Sequence, residues 1–208
     1  MKKILTIVLF TSLSMFNLNA QSSKGDVELG IGLGFNYSNV VVGSNAENAT
    51  GSKTGLNVSA VGEYFFSDRW GIKAKLIYDQ KGWGDGFFDD ENGSITTDFN
   101  LNYITIPVMA NWHFGSTRKW YLNFGPYVGI LLNAETEKRG IEVTEAFSST
   151  DFGFAYGIGY KFDVADNAKL YIEWDGQSGF SDVFEISDSG SSVRNGRGSF
   201  NVGVLFNL

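Results

Sequence analysis

From Val27 to Leu208 the chain repeats one pattern, with bulky apolar residues at alternate positions and glycine, polar or charged residues between them. Val27, Leu29, Ile31, Leu33 and Phe35 alternate with Glu28, Gly30, Gly32 and Gly34. A period of two sends successive side chains to opposite faces of a β-strand. When the apolar face stays free of charge along a whole chain, the expected solution is a closed barrel with lipid outside.

Eight strands can be read, at about 27–37, 55–66, 70–80, 101–114, 119–133, 151–163, 169–177 and 198–208. Strands of about 9–11 residues suffice to cross a bilayer when tilted. The third presents Trp70, Ile72, Ala74, Leu76 and Tyr78 against Lys73, Lys75 and Asp79. The sixth presents Phe152, Phe154, Tyr156, Ile158, Tyr160 and Phe162 against Gly153, Gly157, Gly159 and Lys161. The fold class expected is all-β, an eight-stranded antiparallel transmembrane β-barrel. Connections alternate between short (67–69, 115–118, 164–168) and long (38–54, 81–98, 135–150, 178–197). Short periplasmic turns and long outer loops are the usual asymmetry of a bacterial outer-membrane barrel, and an even strand count then puts both termini in the periplasm. Phe66, Trp70, Phe114, Trp120, Phe162 and Phe206 all fall at the short-turn ends, as a periplasmic-side aromatic girdle requires. Pro107 and Pro126 are expected to interrupt the fourth and fifth strands, because proline removes a ladder donor. The apolar positions also change from odd to even near Tyr103–Ile104, which a β-bulge would explain.

A soluble lipocalin-like barrel would share the strand count with the polarity reversed. Residue size argues against it, since the bulky face carries aromatics on nearly every strand while the other collects glycines. An eight-stranded interior is only wide enough for side chains to fill it. The polar face therefore points inward, with Glu28, Glu63, Lys73, Lys75, Asp79, Lys161, Asp163, Lys169, Glu173 and Asp175 on it. Isolated buried charges are costly, so these are expected to pair and plug the lumen as a structural network rather than to line a conducting path.

Residues 1–20 read as a secretory signal peptide: Lys2 and Lys3, an apolar stretch from Ile4 to Phe16, and Leu18-Asn19-Ala20 before Gln21. Residues 21–208 then form the outer-membrane β-barrel domain. Without cysteine there is no disulfide, thiolate chemistry or cysteine-ligated metal. The formal charge of −7 becomes −9 once Lys2 and Lys3 are removed, and no basic block offers a nucleic-acid surface.

Candidate chemistry is sparse. His113 is the single histidine, which invites comparison with outer-membrane lipid A deacylases. It lies at the short-turn end, however, and no G-x-S-x-G elbow is present, so a packed or rim histidine is expected. Asp89, Asp90 and Glu91 form an acidic loop cluster whose spacing does not match an EF-hand, and a solvated loop is the expected reading over calcium binding. Gly30-Ile31-Gly32 lies inside a strand with no helix after it, and so is no nucleotide loop. No catalytic, cofactor-binding or metal residue is assigned, and no cofactor is expected.

Three segments carry a family resemblance: Val27-Glu28-Leu29-Gly30-Ile31-Gly32-Leu33-Gly34, Leu101-Asn102-Tyr103-Ile104-Thr105-Ile106-Pro107-Val108, and Phe124-Gly125-Pro126-Tyr127-Val128-Gly129. With the Asn19-Ala20-Gln21 signal boundary, they resemble the PorT-like outer-membrane β-barrel family of Gram-negative bacteria. The resemblance implies an outer-membrane location, an eight-stranded barrel and tolerance of the two prolines. It implies no catalytic residues. The family's namesake is associated with protein secretion at the cell surface. Phe200 to Leu208 resembles the C-terminal strand signal read by barrel-assembly machinery, ending in Leu208 where phenylalanine is more usual.

The expected function is that of a non-enzymatic outer-membrane barrel with a plugged polar lumen, acting through its long extracellular loops in surface interaction or envelope structure. Its partners would be outer-membrane lipids and lipopolysaccharide, assembly machinery during biogenesis, and a protein the sequence does not identify. An accessory factor for secretion or envelope assembly, a lipid-modifying enzyme using His113, and an exported ligand-binding barrel are the alternatives.

Overall fold

The computed structural model describes residues 22–43, 51–91, 93–185 and 192–208. The expected signal peptide lies outside them. Eight antiparallel strands close into one barrel: β1 (Val27–Val42), β2 (Gly51–Phe65), β3 (Trp70–Asp90), β4 (Gly93–Phe114), β5 (Trp120–Thr136), β6 (Thr150–Ala165), β7 (Ala168–Gly179) and β8 (Val193–Asn207). Each strand pairs with its sequence neighbours, and β1 closes on β8 in a register running from Glu28↔Asn207 to Val42↔Val193. Closure leaves no open sheet edge, which a backbone surrounded by lipid requires.

The strands overshoot their expected ends chiefly on the long-loop side; at the short-turn side β6 runs on to Ala165 and β7 begins at Ala168. Residues 81–98 are not a loop: β3 runs 21 residues and β4 runs 22, and they pair as far as Asp90↔Gly93. Ladder pairing continues because Trp83, Phe88 and Phe99 pack together there, an apolar gain that composition alone did not reveal. One single-turn 3-10 helix, Thr144–Ala146, sits in the connection after β5.

The prolines do not interrupt their strands. Pairing between β3 and β4 stops at Ala74↔Val108 and resumes in the same register at Ile77↔Thr105, opposite Pro107. Between β4 and β5 it stops at Pro107↔Tyr127 and resumes at Ala110↔Phe124, opposite Pro126. The missing donor thus costs a local gap on one side while the ladder to the other neighbour holds.

The expected bulge also needs correcting. The β4–β5 register does shift between Asn102↔Asn133 and Tyr103↔Leu131, but the extra residue is Leu132 on β5. β4 itself alternates without a break, with Phe99, Leu101, Tyr103, Thr105 and Pro107 all inward. The apolar parity changes because the environment changes. Below Tyr103 the inside is polar and the outside apolar (Ile104, Ile106, Val108); above it the inside is apolar and the outside carries Asn100 and Asn102. β1 inverts between Tyr37 and Val40, and β3 between Asp79 and Trp83. The lower part of the barrel is thus built for lipid, and the upper part is built like a water-soluble domain.

Inward glycines make this packing possible. A Cβ on Gly32 would lie 2.0 Å from Tyr171 Oη, and one on Gly159 would lie 2.2 Å from Tyr121 Cζ. Two large phenols pack against the inner wall because the neighbouring ladder positions carry no side chain: Gly159 is the partner of Tyr121, and Gly203, the partner of Tyr171, pairs in turn with Gly32.

Candidate functional site: a sealed, ion-paired lumen

The interior is stacked in layers from the short-turn end upward. In the lowest, Lys161 of β6 bridges Glu28 of β1 and Glu63 of β2, the latter at 2.8 Å. Lys169 of β7 donates to Glu28 at 2.6 Å and to Ser22 Oγ at 2.8 Å. His113 joins this layer with both ring nitrogens engaged, Nε2 at 2.6 Å from Glu63 Oε1 and Nδ1 at 3.2 Å from the Arg118 carbonyl. The ring is buried against Phe65 and Tyr121. It is a lumen residue holding Glu63 and the turn, not a rim residue.

The middle layer centres on Glu173 of β7, which accepts from Lys73 and Lys75 of β3 and from Asn123 Nδ2 at 2.9 Å. Lys73 Nζ also lies 4.3 Å from the centroid of the Tyr121 ring. Lys75 reaches Asp175 at 2.9 Å, and Asp175 accepts from Arg197 of β8 at 2.6 Å. Arg197 links to the upper layer through Asp79, at 3.1 Å. There Asn36 donates to Asp79 at 2.9 Å, while Asp151 accepts from Lys81 at 3.0 Å, Tyr127 Oη at 3.1 Å and Asn195 at 3.2 Å.

Glu28, Glu63, Lys73, Lys75, Asp79, Lys161, Glu173 and Asp175 are therefore all buried, in two ion-paired clusters that meet at the Tyr121 ring, 5.5 Å from Lys161 Nζ below and 4.3 Å from Lys73 Nζ above. Asp163 stands apart at the rim, paired with Lys119 at 2.9 Å. Three members are not among the expected lumen residues: Lys81 and Arg197 fall in the expected long connections, and Asp151 is the first residue of the expected sixth strand. The usable signal was the same period of two, since Lys81 follows Asp79, Arg197 precedes Ser199 and Asp151 precedes Gly153. With them, the buried charges among the described residues are six carboxylates and six cations. That balance matters, because each unpaired ion in such a site costs several kcal/mol. The ions come from six of the eight strands, His113 of β4 and Asn123 of β5 hydrogen-bond to them, and the centre of the lumen is filled with side chains.

Above the charges, Val40, Trp83, Phe99, Leu101, Tyr103, Leu131, Ala134, Phe147 and Val183 form an apolar cap. The lumen is thus closed twice, by ion pairs and by a hydrophobic cluster.

On the outside, Phe66, Trp70, Trp120, Phe162 and Phe206 are exposed at the short-turn end, and Phe114 is half-buried beside them. Two residues absent from the sequence reading of this belt, Trp112 and Tyr160, link it. Ring contacts run from Trp70 to Trp112 (6.1 Å), Phe114 (5.2 Å), Trp120 (6.3 Å), Tyr160 (4.9 Å) and Phe162 (4.6 Å).

Among the described residues no group of three or more His, Cys, Asp or Glu is placed to hold a metal ion. Asp89 and Glu91 are exposed at the β3–β4 tip, and Asp89 accepts from Ser94.

No curated protein sequence matches the chain. Among solved structures it is similar to the outer membrane protein OprG from Pseudomonas aeruginosa, with a TM-score of 0.55, 11% identity, and coverage of 91% of this chain and 98% of that one. Neisserial surface protein A gives a TM-score of 0.49 at 17% identity over 86% of this chain and 96% of that one. Ail, the attachment invasion locus protein of Yersinia pestis, gives 0.44 at 17% identity over 89% and 99%. At such identities the likeness to OprG speaks to fold alone. The family model for the outer membrane protein beta-barrel domain matches residues 19–185, and the chain belongs to that family.

Proposed function

We propose that this protein is a non-enzymatic, sealed outer-membrane barrel whose working surface is the long-loop end, serving surface interaction or envelope structure. The observation that carries the reading is the doubly closed lumen below strands that continue well past the lipid-adapted band. A blocked interior leaves the projecting end as the surface free to act. In this reading the short turns and both termini are periplasmic. The aromatic belt sits at that interface, and the apolar band contacts outer-membrane lipids and lipopolysaccharide. Assembly machinery reads β8, and the partner of the loops is a protein.

The absence of cysteine makes the test clean. A single cysteine at Glu91 should react with a membrane-impermeant maleimide on intact cells, while one at Asp166 should react only after permeabilisation. Reversed labelling overturns the orientation. Steady single-channel current from the reconstituted protein overturns the sealed lumen. Replacing residues 137–149 and 180–192 by short glycine-serine turns, which spares every strand residue, should leave assembly intact and abolish a surface phenotype; a harmless double replacement overturns the role given to the loops.

The PorT-like segments support a second reading, an accessory factor for secretion acting at the short turns. Crosslinking from Arg118 or Asp166 would then capture a protein partner, and repeated failure to do so removes this alternative.

A further inference from the structure

We propose that the long-loop end contains a binding site for a compact, uncharged aromatic molecule of about two fused rings. The site is a pocket of about 320 Å³ among the apolar side chains above the charged layers. Its walls are aromatic and converge from separate elements: Trp83 of β3, Phe99 of β4, and Phe147 and Phe184 from the two long connections, closed at the sides by Val40 and Val193. Trp83 stacks on Phe99 at 4.9 Å and Phe147 on Phe184 at 5.2 Å, and the two pairs meet edge to face, Trp83 with Phe147 at 5.8 Å and with Phe184 at 6.0 Å, so the wall offers both ring faces and ring edges. A dry apolar cavity of about 150 Å³ is enough to hold benzene. One of about twice that size takes two fused rings, and aromatic neighbours favour offset-stacked or edge-to-face contact with a ring over an aliphatic fill.

Three further observations define the ligand. The pocket is lined almost wholly by carbon, so a charged or multiply hydroxylated molecule would lose its hydration without compensation. It lies above the level where outward positions turn to Asn100 and Asn102, away from the lipid-adapted band, which favours a free small molecule over a membrane acyl chain. The rim leaves Phe87 84% exposed, a large aromatic at a mouth that faces water. Self-filling has little to draw on in the adjoining sequence, because residues 44–50 and 186–191 contain a single large apolar residue, Ile186. The charged layers beneath make the pocket a dead end, so it captures its ligand and does not conduct it. Binding in this pocket does not depend on which side of the membrane the loops face.

The test uses the full barrel in lipid nanodiscs, labelled with ¹⁵N and titrated with naphthalene. Five tryptophans give five indole N–H signals, and Trp83→Phe identifies the one in the pocket. The Trp83 signal should shift saturably, while Trp70, Trp112, Trp120 and Trp174 drift only with partitioning into lipid. Ala146→Trp and, separately, Val143→Phe should fill the pocket and abolish the saturable shift, with heat-modifiable gel mobility reporting that each variant still folds. Naphthalene-2-sulfonate should produce no saturable shift. The proposal is overturned by a Trp83 response that does not saturate, by equal responses at all five indoles, or by binding that survives both filling variants. Binding that appears only in Ile186→Asn overturns it in favour of self-occupancy.

Discussion

Replacing Glu173 by glutamine keeps the shape of the side chain and deletes one charge from the middle of the lumen. Glu173 is completely buried and accepts from Lys73, Lys75 and Asn123. In the variant Lys75 keeps Asp175 at 2.9 Å, but among the described residues Lys73 has no other carboxylate in an ion pair. Breaking a buried pair by removing one partner costs about 3–5 kcal/mol, because the surviving charge stays desolvated. Tyr121, 4.3 Å from Lys73 Nζ, retains a cation–π contact and brings the expectation to the lower end of that range. With a urea dependence of about 2 kcal/mol per molar, a loss of about 3 kcal/mol lowers the unfolding midpoint by ~1.5 M. The assay is the folded fraction of the reconstituted barrel, read by gel mobility without heating across a urea series. Lys73→Met in the same chain removes the stranded cation and should recover most of the loss, whereas Lys73→Met alone should be destabilising. The reasoning is refuted if Glu173→Gln moves the midpoint by less than ~0.3 M, or if the double variant is no better than the single.

Other consequences follow from the same packing. Gly32→Ala places a methyl against Tyr171 Oη and should cost about 1–3 kcal/mol by overpacking; in the same urea assay, adding Tyr171→Phe should recover part, since the next ring atom lies 3.1 Å away. Trp83→Ala should cost about 3–5 kcal/mol by emptying the centre of the aromatic cap, yet leave the charged layers and the sealed lumen intact, so that bilayer recordings stay silent. Because the ion pairs are buried, raising sodium chloride from ~50 mM to ~500 mM should leave the midpoint nearly unchanged, whereas exposed pairs would be screened over this range. A large salt dependence would show that water reaches the network.

How much of this could be read without coordinates is clearest on β3. Lys73, Lys75 and Asp79 were assignable to the lumen because they alternate with Trp70, Ile72 and Leu76. Lys81 continues the same face by two residues but reads as the start of a loop, since apolar alternation fails beyond it. It fails because the strand leaves the lipid band, where outward positions are Gln80 and Gly82 and the inward one is Trp83. The belt residues share the short-turn ends of their strands, a position that leaves out Trp112 and Tyr160. Each lies two residues before an aromatic at the strand end, Phe114 and Phe162, and ring contacts of 5.2 and 4.6 Å join them to the belt.

Strand count, which face meets lipid and the inward place of glycine follow from a local rule, the two-residue period, and so were legible in the chain by itself. Which carboxylate pairs with which cation was not, because most of those partners are separated by 70 residues or more and meet only when the ring closes. Lys73 with Glu173, and Lys161 with Glu63, are set by the shear of the closed barrel. The polarity inversion near Tyr103 belongs to the same class. Membrane depth comes from strand tilt and register together, so only the tertiary structure decided where the lipid-facing barrel ends and the water-facing cap with its aromatic pocket begins.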